Sequence, residues 1–153
     1  MHSLMYDLHT KATAKVTALD LMYDEIPSYA DYVEDVDEKY HPGAIKEFCK
    51  TFPFCTQDGN DPYLLHINHA AAKTALRMQL EEAYALLGRL LQSGMDRSYD
   101  RYQVANLVNG YQYGEHMLLD SYEDMTDVEF MDYCARPQSP NELYVKHIWD
   151  YHS

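Results

Sequence analysis

The stretch that decides the fold class runs from Asp61 to Gly94, DPYLLHINHAAAKTALRMQLEEAYALLGRLLQSG. Its pattern predicts one long helix over about residues 61–93, marked at both ends. Asp61 suits an N-cap and Pro62 the first helical position, where a missing N–H costs nothing. Gly94 suits the left-handed residue that closes a helix. Two apolar faces are legible, Leu64-Ile67-Ala71-Ala75-Met78 and Leu76-Leu80-Ala83-Leu87 with Leu90 or Leu91. A helix apolar on two stripes is expected at the centre of its neighbours.

Working outward, the same periodicity predicts further helices. Leu4, Leu8, Ala12, Val16 and Leu19 mark one that Pro27 ends at Ile26. Ser28 opens a second, toward Lys39, and Ala44–Phe52 a third. Pro53–Asn60 reads as a loop. Beyond Gly94, Asp96 or Ser98 starts a helix to about Val108, and Glu115–Asp124 reads as another. Thr126 and Glu129 form a capping box for a helix to Ala135, and Ser139 and Glu142 form one for a final helix. The expectation is an all-α single domain, residues 1–153, with several short helices packed around the long one.

Composition narrows the function classes. The chain has 153 residues, a net charge of −13, 15 tyrosines and only 12 Lys and Arg. That balance argues against direct binding of nucleic acid or of an anionic membrane, both of which need cations. No apolar run is long enough to span a bilayer, and the N-terminus lacks a signal-peptide pattern. Cys49, Cys55 and Cys134 form no CxxC pair and suit free thiols, so a cytoplasmic setting is expected, the host cytoplasm if the chain is viral.

The charge is segregated. Val16–Glu38 carries eight acids and Tyr102–Ala135 seven, with no Lys or Arg in either. Asp31, Glu34, Asp35 and Glu38 fall at i, i+3, i+4 and i+7, as do Asp120, Glu123, Asp124 and Asp127. On a helix each set forms one stripe, which like-charge repulsion destabilises by about 0.2–0.5 kcal/mol per pair. Asp127 belongs to the Thr126 cap if a new helix starts there.

Three readings compete: a solvated face, a polyanion-like row that occupies a basic groove, and two D-x-x-E motifs holding Mg²⁺ for nucleotide phosphate chemistry. All-helical nucleotide pyrophosphatases use paired acidic motifs in this general way, although with a different gap between them. Tyr-Asp or Asp-Tyr steps at Tyr6, Tyr23, Tyr32, Tyr99, Tyr133 and Tyr151 favour a contact surface. His66, His69, His116 and His147, with Glu115 and Glu142, are the donors for a bundle metal site, but H-E-x-x-H is absent. No nucleophile signature and no phosphate loop is present.

The reading preferred on sequence is a non-enzymatic acidic protein without a cofactor that blocks a basic, nucleic-acid-handling partner by charge mimicry. The alternative is a metal-dependent helical enzyme. The binding residues expected are Asp31, Tyr32, Glu34, Asp35 and Glu38, then Asp120, Tyr122, Glu123 and Asp124. A homodimer is compatible with the tyrosine surplus. By analogy, small acidic viral or mobile-element proteins inhibit restriction or CRISPR nucleases.

Overall fold

The computed structural model describes residues 2–10, 30, 32–94, 98–111, 114–120 and 123–152. It overturns the all-α expectation: among the described residues seven strands form one sheet, with four α-helices. The strands are β1 (His2–His9), β2 (Tyr32–Asp35), β3 (Cys55–Gln57), β4 (Leu64–Ile67), β5 (His116–Leu119), β6 (Glu123–Met125) and β7 (Glu142–His152). The helices are α1 (His41–Thr51), α2 (His69–Gln92), α3 (Ser98–Asn109) and α4 (Asp127–Ala135).

The sheet is built around β7. Its eleven residues read as the final helix because Leu143, Ile148 and Trp149 sit near helical intervals. They are instead rich in β-branched and aromatic side chains, which suit a pleated surface. Along one edge β7 pairs antiparallel with β1. Along the other it pairs with β4 near Glu142–Tyr144 and with β2 near Trp149–His152. One bulge at Lys146 shifts the register, so Leu143, Val145 and Ile148 share a face that strict alternation would split. Beyond β1 lie β5, parallel to it, and β6, giving the order β3-β4-β7-β1-β5-β6.

The expected first helix begins as β1. Leu4 and Leu8 are four apart, an interval that fits a strand as well as a helix. Residues 11–29, where that helix was to continue and the second to start, lie outside the described residues. The second helix is otherwise replaced by β2 and a 3-10 turn at Glu38–Tyr40. The loop at Pro53–Asn60 contains β3, and the helix at Glu115–Asp124 is the β5–β6 hairpin. Asp120 turns that hairpin with φ of 50°, a left-handed conformation that Asp tolerates better than most residues.

The long helix also starts later than expected. Asp61 caps a turn, accepting the Tyr63 N–H at 2.9 Å, and Leu64–Ile67 then joins the sheet. Asn68 is the true N-cap, its side chain accepting the Ala71 N–H at 3.0 Å. The C-terminal end is as expected, with Gly94 at φ of 81°. Helices α1, α2 and α4 cover one sheet face. Their core is aromatic, with Phe48, Phe52, Phe54 and Phe130 in mutual ring contact. On the other face Met5, Leu118, Trp149 and Tyr151 form a smaller cluster. The Thr126 capping box of α4 forms as expected.

Helix α2 is not central. Only Ala72, Ala83 and Leu90 are buried along its 24 residues. Leu80, Leu87 and Leu91 of the second apolar stripe, with Tyr84, stand exposed.

Candidate functional site

The two acidic sets do not form helical stripes. Glu34 and Asp35 sit on β2, where neighbours point to opposite faces, and Glu38 lies in the 3-10 turn. Asp31 and Tyr122 lie outside the described residues, and only the backbone of Tyr32 is described. Asp120 is in the hairpin turn, and Glu123 and Asp124 are on β6. From β2 to β6 the sheet crosses β7, β1 and β5, four strand spacings or about 19 Å. Glu34 and Glu123, one from each D-x-x-E motif, therefore stand too far apart to share one ion.

Several of these carboxylates are held by histidines. His147 Nε2 lies 2.8 Å from Asp35 Oδ1, and His116 Nδ1 lies 2.9 Å from Asp124 Oδ1. Asp120 accepts the Thr10 N–H at 3.0 Å and its hydroxyl at 3.2 Å, latching the end of β1. His9 Nε2 is 3.0 Å from Asp7, which is buried. His66 lies between Asp58 at 2.8 Å and Glu142 at 3.5 Å. His69 lies 2.7 Å from the Cys134 carbonyl and 2.8 Å from Asn141 Oδ1. The histidines thus tie elements together. Among the described residues no three His, Cys, Asp or Glu side chains gather as an ion would require.

The tyrosines divide as well. Tyr6 and Tyr151 are fully buried core residues, whereas Tyr84 and Tyr99 project into solvent. The three cysteines are free; Cys55 and Cys134 are buried, and burial raises the Cys55 thiol far above its ordinary range.

One place combines acids with open apolar surface. A groove of about 420 Å³ lies between α2, α3, α4 and β6. Its apolar lining is Leu76, Leu80, Val108, Met125 and Val128. Along one wall stand Glu123 and Asp124 from β6 and Glu129 and Asp132 from α4.

Local sequence places these acids. Thr126 ends β6 and caps α4: its hydroxyl oxygen accepts the Glu129 N–H at 3.3 Å, while Glu129 Oε2 accepts the Thr126 N–H at 2.8 Å. The Thr126 hydroxyl also donates to the Asn109 carbonyl at 2.9 Å, fixing α4 against the end of α3. Asp132 pairs one turn on with Arg136, the one cation among the groove residues.

The opposite wall differs. Lys73 and Arg77 of α2 border the same leucines, with Arg77 Nε 2.8 Å from Glu81. The groove is therefore anionic toward α4 and β6 and mixed in sign toward α2. Charges on β6 also have a simpler use, because β6 is the last strand of the sheet among the described residues and acids on an edge discourage pairing with another sheet.

Sequence reading found Glu123 and Asp124 but missed Glu129 and Asp132. It assigned Glu129 to the cap, which is correct, without placing both acids beside Glu123. No linear signal joins them to Leu80 and Val108. No helix among the described residues is long and apolar enough to cross a membrane. Comparison with protein-family models, with curated proteins and with solved structures finds no match for this chain.

Proposed function

We propose that this protein is a non-enzymatic binding protein whose acidic surface docks on a basic, nucleic-acid-handling partner, at a place the partner otherwise offers to phosphates. The observation that carries the reading is the acid-walled groove. Four carboxylates from two elements line a groove in which Leu80 and Val108 are exposed, in a chain of net charge −13. Opposed charges give such a complex speed and orientation, and the apolar floor supplies area that becomes dry on contact. Of the sites expected from sequence, Glu123 and Asp124 belong to this surface. Asp124 is also bonded to His116, as Asp35 is to His147 and Asp120 to Thr10, but only Glu123 and Asp124 line the groove. By analogy with small acidic inhibitors of mobile elements, a restriction or CRISPR nuclease is the type of partner that fits.

The test uses the full chain as bait in a lysate of its native host. A basic nucleic-acid-handling protein should be retained at low salt, released at high salt, and displaced by duplex DNA. Glu123→Lys bait should retain less of it. Capture that is indifferent to both salt and DNA would overturn the reading.

A further inference from the structure

The floor of the groove does not end with the groove. Leu76 and Leu80 continue along α2 as Tyr84, Leu87 and Leu91. From Leu80 onward the steps are four, three and four residues, the spacing of a helix–helix seam. Tyr84 is 80% exposed and Leu91 62%, although each belongs to a row that would normally be covered. The row from Leu76 to Leu91 is about 22 Å long, room for four turns of a second helix. Beside Leu76 and Leu80 its two borders differ in charge: Glu123, Asp124, Glu129 and Asp132 outweigh Arg136 on one side, and Lys73 and Arg77 outweigh Glu81 on the other.

We infer that this row receives an amphipathic helix of the partner, apolar face on Leu80, Tyr84 and Leu87, with its Lys or Arg flank toward Glu123, Glu129 and Asp132. The inference rests on the basic-partner reading and specifies the recognition mode, a helix laid in a groove. Charge complementarity selects the occupant. A second copy of this chain would bring another surplus of acids against the same wall, and α2 itself carries both signs along its exposed side. A helix with one cationic flank and one neutral or acidic flank satisfies both borders at once, which also fixes its direction across the groove.

The probe is a fluorescein-labelled synthetic peptide of about 18 residues, five turns of helix. It has leucines at seam spacing and lysines on one flank. Binding to the full chain is read by fluorescence anisotropy. Two control peptides carry the same composition with the leucines scrambled, or glutamate in place of lysine. The lysine peptide should bind and both controls should not. Tyr84→Asp and Glu123→Lys should each weaken it by about tenfold or more, while Glu82→Lys, off the row, should change it little.

Equal binding of the scrambled peptide would overturn the helix inference and leave the basic-partner reading standing. So would failure of the lysine peptide while host capture stays sensitive to salt and DNA. Sedimentation showing a dimer that Tyr84→Asp dissociates would assign the row to a second copy and overturn the inference as well.

Discussion

Nδ1 of His116 lies 2.9 Å from Oδ1 of Asp124, joining a buried histidine on β5 to a carboxylate on the groove wall. Its neighbour Glu123 is exposed on the same wall. Glu123→Lys should therefore weaken a cationic partner while shifting stability by no more than about 0.5 kcal/mol, as surface changes do. Asp124→Ala should weaken binding and also cost about 1–3 kcal/mol, because it removes a hydrogen-bonding partner of a buried imidazole. Anisotropy and thermal melts on the same preparations separate the two effects.

The β2 acids provide a second contrast. Asp35 is tied to His147 and lies across the sheet from the groove. Reversing Glu34 and Asp35 together to Lys should reduce partner binding less than reversing Glu123 alone. The opposite ranking, measured at equal ionic strength, would move the docking surface to β2.

Gly110 ends α3 with φ of 88°, and a Cβ there would overlap the Thr126 side chain that caps α4. Gly110→Ala should destabilise the protein by about 1–3 kcal/mol, through a strained backbone and displacement of the cap. Chemical denaturation would show it as a lower midpoint with unchanged slope.

Asp58 carries a pH signature. The hydrogen bond with His66, aided by the Asn60 and Asp61 N–H groups, lowers its carboxyl to about 2 from an ordinary 3.8. A carboxyl depressed on folding stabilises the protein above its unfolded value, and that contribution is lost as pH falls toward the folded value. Melting temperatures of the parent should exceed those of Asp58→Asn at neutral pH. The two curves should converge as pH drops from about 4 to about 2.

Glu115 has the reverse sign. Burial, then the charge of Asp127, raises its carboxyl above the ordinary 4.5, and its buried Oε2 has no hydrogen-bond partner among the described residues. Ionised Glu115 therefore opposes folding at neutral pH, and the penalty fades as pH falls toward 4.5. Glu115→Gln should raise the melting temperature at pH 7, with the gain vanishing near the ordinary carboxylate range.

The local signals were read correctly where one short segment contains the whole cause. The Thr126–Glu129 box needs four residues, and Gly94 needs only its own lack of a Cβ. The strands were misread because their apolar intervals fit both periods. Leu4 and Leu8 are the clear instance, and the Lys146 bulge removes the alternation that would have marked β7. Reading Leu64–Ile67 as the first turn of a helix hid Asn68, the residue that actually caps it.

Sequence alone determined the charge, its confinement to two flanks, the helix caps at Thr126 and Gly94, and the amphipathic rows of α2. Those depend on residue identity and on neighbours within a turn. Tertiary structure decided which rows are covered, and it separated the two acidic sets by four strand spacings. It also brought Glu123 beside Asp132 and Leu80, because strand pairing joins residues far apart in the chain and leaves no mark in the spacing of either partner.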